Sequence, residues 1–505
     1  MLYDFITGLR NLEPNYAATG GVEFVRRELL VFRDQYSLID DCIAGEQRVK
    51  ERRTTYLQLP GNMNDADHLA RYNNYVSRAV FYGVAGRTLD GLVGRVFTRD
   101  AVAEVPTSLT PVLDDANGES VSFDQLTQKG VATVVAKGRA GLFVDYPRVE
   151  SASRQQLNTG EIKPTIHLYQ PQQITNWRKV RINGKDKLTL VVLMEQYTIE
   201  DDGFASKQAI QYRVLRLTGG IYTVELWRQT AGEARGFVLY ENPTVPLNFQ
   251  GKPYDELPFR FLGPRESSSD IEKPPMYDLC SLNIAHYRNS ADYEESCFVT
   301  GQPTLWAAGL TQTWVKEVLG GKIGLGSRGI IMLPKDGTAG LLQTEPNSMP
   351  FEAMEHKEKQ MVALGAKLVE QKSVQRTATE AGIDENAETS VLSSCARNVS
   401  KGMQWALQWC GYFVGAEEAS IKYELNTDFD LNELDSAERA QLVKEWQAEA
   451  ITYGEMRDAL RKAGVATLTD EEAQAALTKE RTFFAPEVDP NDPNGGSDSG
   501  FGAGA

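Results

Sequence analysis

The stretch PPMYDLCSLNIAHYRNSADYEESCFV, Pro274 to Val299, decides how the chain is read. Paired prolines suit a helix start, because first-turn N–H groups have no intrahelical acceptor. No breaker follows until Pro303, so the spacing predicts one long helix. After Pro350, FEAMEHKEKQMVALGAKLVEQ predicts a second, with four acids and four lysines through Lys372. Helices joined by so long an intervening segment are not a short hairpin, and each is expected to run beside the same helices of neighbouring subunits. That order suggests a repeated rod in a ring, with the insertion at its far end.

The insertion contains LGGKIGLGSRGIIMLP, in which Gly324, Gly326 and Gly329 have the spacing of a dinucleotide-binding loop. That fingerprint works by ending a strand and opening a helix whose N–H groups face pyrophosphate. Here a short strand-like run closed by Pro334 follows instead. The glycines Gly320, Gly321, Gly324, Gly326 and Gly329 are read as turns between short strands, with no nucleotide and no cofactor.

Beyond the second helix, KSVQRTATEAGIDE breaks the pattern and NAETSVLSSCARNVSKGMQWALQWCGYFV restores it. Val391, Cys395, Val399, Met403, Ala406 and Cys410 form a long apolar stripe, read as helix packing. Upstream, Gly21 to Ile43 is helical in pattern, as is 64–100, with the apolar face Leu69, Tyr72, Val76, Val80 and Val84. Arg71 and Arg78, two turns apart on another face, suit phosphate, a neighbouring subunit or local pairing. Residues 120–265 read as an α+β domain, a helix leading into strands separated by Asn-Gly, Gly-Gly and Gly-Glu-Ala turns. Thr452 with Glu455 and Thr469 with Glu472 fit capping boxes, and Gly464 a helix stop. The acidic, Gly-rich end has too few bulky apolar residues to fold alone and reads as disordered.

Composition narrows the function. The chain has 505 residues, 41% apolar and 24% charged, enough for several domains and a sizeable core. Its longest apolar runs are too short to cross a bilayer, and MLYDFITGLRNLEP lacks the features of an export signal, which places synthesis in the cytoplasm. Five scattered cysteines and four unpaired histidines argue against a disulfide framework or a metal site. A net charge of -16 argues against tight nucleic-acid binding through one basic patch, though not against guiding nucleic acid without gripping it. No P-loop, HExxH, GxSxG elbow or EF-hand is present. Asp278, Asp292, Glu294 and Glu295 share a helix without needing to converge on metal, and an acidic two-metal nuclease is the remaining enzyme alternative.

Four phrases together resemble the portal proteins (head-to-tail connectors) of tailed bacteriophages, specifically a subfamily often catalogued as a phage protein of unknown function. They are RYNNYVSRAVFYGVAGRTLDGLVGRVF (Arg71 to Phe97), QITNWR (Gln173 to Arg178), LNIAHYRNSADYEESCFVTGQPTLWAAG (Leu282 to Gly309) and TATEAGIDENAETSVLSSCARNV (Thr377 to Val399). The resemblance covers roughly residues 20 to 460 and implies an α+β portal-like protomer. Its parts would be N-terminal helices and an α/β wing (1–273), stem helices (274–299 and 349–372), a β-containing clip (300–348) and a tunnel loop (373–386). A long wing helix and strand (387–430), crown helices (431–482) and an acidic tail (483–505) would complete it.

The resemblance further implies a ring, usually of twelve copies, at one capsid vertex of the virion. Double-stranded DNA would pass through its channel during packaging and ejection without sequence recognition. The implied partners are the terminase large subunit, a head-tail adaptor, and the major capsid and scaffolding proteins. No catalytic residue, metal or membrane is implied. Lys367, Lys372, Gln375, Arg376 and Thr377 become candidates for channel contacts, and His286, Tyr287, Arg288, Asp292 and Tyr293 for contacts between stems. Another ring-forming connector of the head or tail is the alternative within this class.

Overall fold

A computed structural model describes residues 14–58, 65–147, 154–182, 184–229, 236–302, 304–318, 332–342, 348–368, 390–427, 429, 436–448, 450–462, 466 and 470–483. The chain divides into two compact units, Met1–Asp428 and Phe429–Ala505. Its architecture is mixed α+β, with several long helices and antiparallel sheets.

The first unit opens with helix α1 (Arg27–Ala44), then α2 (Ala66–Arg78) and α3 (Val84–Val96). Asp65 caps α2 by accepting from the backbone N–H groups of Asp67 and His68. The expected continuous helix over 64–100 is therefore two helices broken at 79–83. Tyr72 and Val76 are buried, whereas Leu69 and Val80, expected on the same apolar face, are exposed.

A short strand β1 (Val102–Glu104) pairs with the distant strand Lys422–Glu424. Helix α4 (Phe123–Lys137) starts at a Ser122–Gln125 capping box and stops at Gly138, whose φ of +70° glycine adopts without steric cost. The turn delivers β2 (Ala140–Asp145) into a sheet flanked by β3 (Thr165–Tyr169) and Phe259–Leu262. A second sheet is an antiparallel meander of β4 (Ile174–Ile182), β5 (Lys185–Asp201), β6 (Ser206–Thr218), β7 (Ile221–Gln229) and β8 (Phe237–Leu239). Strand Phe259–Leu262, β9, then returns to the first sheet.

The two sheets meet through a half-buried ionic network as well as apolar contact. Arg213 on β6 donates from Nε to Glu195 at 2.7 Å and from Nη1 to Asp145 on β2 at 3.0 Å. Tyr169 and Gln211 also donate to Glu195, at 2.6 and 2.8 Å. Arg139 lies between the rings of Trp177 and Phe261 and donates to the carbonyls of Ser269 and Asp270. Burial pushes its pKa down to about 10.

Helix α5 (Tyr277–Thr300) follows, then the hairpin β10 (Thr304–Ala308) and β11 (Thr338–Leu342), then α6 (Met349–Lys367). Helix α7 (Val391–Val414) begins at Ser390, which caps it through Ser393 N–H. Five of its six stripe residues are buried against α4 and the first sheet, and Val391 at the first turn is exposed. Gly402 permits the closest approach, since a Cβ there would lie 2.3 Å from Leu262 Cδ2. Strand β12 (Lys422–Glu424) completes this unit.

In the second unit, helices α8 (Ser436–Gln447), α9 (Tyr453–Lys462) and α10 (Asp470–Phe483) follow one another. Thr452 and Glu455 form the expected capping box, with Glu455 N–H donating to Thr452 Oγ1 at 3.2 Å and Thr452 N–H to Glu455 at 2.7 Å. Thr469, Gly464 and the tail beyond Phe483 lie outside the described residues.

Candidate functional site

The two long helices α5 and α6 pair with each other inside one chain. His286 Nε2 lies 3.2 Å from Glu358 Oε1, and the ring of Tyr293 lies 5.7 Å from that of Phe351. Moving seven residues up one helix moves seven down the other, so the pair is antiparallel. The long intervening segment therefore does not keep the two helices apart within the chain.

Helix α5 is committed to its own chain on several sides. Asn283, fully buried, accepts from Ala85 N–H at 3.3 Å and donates to the Tyr82 carbonyl at 2.8 Å. One turn pair further on, Ser290 Oγ donates to the Val80 carbonyl at 2.7 Å and accepts from Val80 N–H at 3.0 Å. These side chains take up the backbone groups of the 79–83 break, so α2 and α3 can separate without burying orphaned polar atoms.

Beside this junction α2 and α5 enclose a polar groove of about 660 Å³, lined by Arg71, Tyr75, Arg288, Asp292 and Glu295 together with 54–58. Arg288 Nε donates to the Tyr56 carbonyl at 2.8 Å, and Tyr75 donates to Asp292 at 2.7 Å. Burial, followed by that bond to Asp292, raises the Tyr75 phenol well above its usual range. Arg71 and Arg78 both reach Glu295, Arg71 at 3.4 Å, and Arg78 also stacks on Phe298 at 4.0 Å. Local pairing is thus the role both arginines have here.

The candidate stem residues fall into two groups. His286 and Tyr287 are buried, and Arg288 and Asp292 contact Tyr56 and Tyr75 of the same chain. Burial pushes Tyr287 up to about 12, where its ring meets Phe81 edge-on. Tyr293 is half-buried, its ring against Phe351 of α6, and a bond to Cys297 raises its pKa. Lys367 is exposed in the last turn of α6. Lys372, Gln375, Arg376 and Thr377, and all five candidate clip glycines, lie outside the described residues.

Two features escaped the sequence reading. Helix α6 buries only Met354 and Met361 among its described residues, whereas α5 buries eight. At the outer end of the pair, Phe298, Val299, Trp306, Leu341, Leu342, Met349 and Phe351 are 43–73% exposed. Three of the four acids of this helix have separate partners: Asp278 pairs with Lys273, Asp292 with Tyr75 and Glu295 with arginines. Among the described residues no group of three or more His, Cys, Asp or Glu could hold a metal, and no helix is long and apolar enough to cross a membrane.

No curated protein matches the chain. Among solved structures it is similar to a chain described as "Neck of empty GTA particle computed with C6 symmetry", with TM-score 0.40 and 13% identity over 77% of this chain and 91% of that one. Residues 275–414, which run from the start of α5 to the end of α7, match the family described as a domain of unknown function, DUF4055.

Proposed function

We propose that this chain is the protomer of a portal-type ring, a structural component of a phage head that conducts double-stranded DNA. The observation that carries the reading is the unequal coverage of the helix pair. Helix α6 and the hairpin end expose bulky apolar residues that a single chain leaves in water, as expected of an assembly surface. A ring of identical copies covers such surfaces on every protomer at once.

In this reading α5 and α6 are the stem, 300–348 the clip, 373–386 the tunnel loop, 1–273 and 387–430 the wing, and 431–482 the crown. The stem contact between copies is carried by the open face of α6, because His286, Tyr287, Arg288, Asp292 and Tyr293 are all engaged within the chain. The charge of -16 per chain gives a ring a repulsive field that keeps phosphate moving, and Lys367, Lys372 and Arg376 interrupt it. ATP hydrolysis is left to the docked terminase, and the later partner is a head-tail adaptor.

Imaging and mass measurement of the purified full chain test this. A ring of about twelve copies with a channel wide enough for B-DNA is expected. A stable monomer across concentrations and salt, or a ring with a closed centre, would overturn it.

A further inference from the structure

The long hairpin of β5 and β6 ends in a turn that its own side chains fix in place. Asp202 accepts from Phe204 N–H at 2.8 Å and from Ala205 N–H at 2.6 Å, and Asp201 accepts from Gly203 N–H at 2.8 Å. Gly203 takes up the φ of +86° that the turn requires. Phe204 is thereby held fully exposed at the tip. Single exposed apolar residues are ordinary on a protein surface. A phenylalanine on a preformed turn differs, because little freedom remains to be lost when a partner covers it. Glu200, Asp201 and Asp202 flank it, with Lys207 3.9 Å from Glu200.

The other end of the same sheet carries a surface of complementary chemistry. Strand residues alternate between faces, so Trp177, whose ring meets Phe261 of the neighbouring sheet, lies on one face and Val192 on the other. On that second face Val192, Met194, Tyr212 and Val214 form an apolar cluster bordered by Trp227 and Phe237. The face opens there into a groove of about 540 Å³ with an apolar floor, and Arg178 and Arg216 stand among its lining residues. Arg216 is held by Glu225, while the exposed Arg178 guanidinium has no partner among the described residues. An apolar floor with a free cation at its edge suits an aromatic ring flanked by acids.

The tip cannot fill the groove of its own chain. Strands β5 and β6 stay paired from Leu190 and Arg216 out to Asp201 and Ser206. Roughly 30 Å of continuous ladder, at about 3.3 Å per residue, therefore separates Val192 from the tip. A second copy of the chain has no such constraint. We propose that Phe204 of one copy inserts into this groove of the next, with the acids of the tip beside Arg178. Knob and groove are different patches of one surface, so the contact is head-to-tail and repeats from copy to copy. The inference rests on the ring reading above and adds to it a specific contact outside the helix pair.

The test uses the full chain, part of it isotopically labelled, carrying a photo-crosslinking phenylalanine at Phe204. Crosslinks between labelled and unlabelled chains, from this position to peptides containing Leu190, Val214 or Trp227, are expected. Arg178→Glu in the same chain should deplete them several-fold, since it sets an acid against acids. Phe204→Ser should raise the concentration at which particles half-dissociate by about 30-fold, the scale of a buried aromatic anchor, with the melting of the protomer unchanged. Crosslinks confined to one chain or landing on other surfaces, or a shift below about fivefold, would overturn the contact. Particle imaging separates that failure from failure of the ring reading. Rings that crosslink elsewhere overturn the contact alone, crosslinks into the groove without closed rings overturn the ring alone, and a monomer at every concentration overturns both.

Discussion

Replacing Asn283 by alanine isolates the joint between α5 and the α2–α3 break. The substitution deletes both partners of the break at once, the acceptor for Ala85 N–H and the donor to the Tyr82 carbonyl. Helix α3 has no side-chain cap at Gly83, so nothing local replaces the lost acceptor. An orphaned buried N–H costs about 1–3 kcal/mol, whereas the Tyr82 carbonyl lies nearer solvent and regains part of its bond from water. The expected loss is about 2–3 kcal/mol, localised to 79–96. Hydrogen exchange in that segment should accelerate about 30- to 150-fold if it opens locally, at one factor of ten per 1.36 kcal/mol. The assay is exchange mass spectrometry on wild type, Asn283→Ala and Ser290→Ala, with peptides from α7 as internal controls. Ser290→Ala should act on the same peptides through Val80. Exchange at 79–96 within twofold of wild type, in a variant whose α7 peptides are unchanged, would refute the reasoning.

Three further outcomes can be measured on the same protein. Gly402→Ala pushes a methyl against Leu262 and should destabilise by about 1–3 kcal/mol in thermal melts, with Leu262→Ala in the same chain relieving the clash. Stability should fall as pH drops. Burial depresses His167 below its ordinary 6.5, so its penalty begins below that pH, while Arg213 and two hydrogen bonds outweigh burial to hold Glu195 below 4.5 and extend the loss into more acid solution. Urea midpoints from pH 7 to 4 read this, and His167→Gln should flatten the upper part. Maleimide should label Cys297 alone in the folded chain, because Cys42, Cys280, Cys395 and Cys410 are buried and burial pushes Cys395 up to about 12. Comparable labelling of a second cysteine by mass spectrometry would contradict the packing.

Local signals were the legible ones. The long helices could be read because Pro274 and Pro275 lie just before the Met276 N-cap of α5 and the period then continues unbroken, and the Thr452–Glu455 box because both its partners lie within one turn. The break at 79–83 could not be read, since Val80 continues the spacing of Tyr72 and Val76. What stops the helix there is Asn283 and Ser290, some two hundred residues away in sequence. In sequence Glu295 is one of four acids on the same helix, and only the approach of α2 distinguishes it as the anchor of Arg71 and Arg78. The antiparallel pairing was hidden for a similar reason. Balanced charge along α6 names no partner, and a helix buried at only Met354 and Met361 carries a stripe too narrow to show a direction.

That narrow stripe sets a buried and an exposed residue side by side, which lets folding be tested apart from any assembly. Met361 is 1% exposed and Val362 is 72% exposed, yet they are neighbours on α6. Met361→Ala removes buried volume between α6 and the rest of the protomer and should cost about 2–5 kcal/mol of stability. Val362→Glu changes a side chain already in water, and surface changes of this kind stay within about 0.5 kcal/mol in the isolated chain. If neighbouring copies cover the open face of α6, the glutamate is instead buried unpaired in every interface, and the ring should dissociate into well-folded protomers. Melting and particle mass, measured on both variants, distinguish the two effects. A Val362→Glu chain that assembles as wild type would remove this face from any interface. One that unfolds would show that α6 depends on contacts within the protomer that its exposure does not reveal.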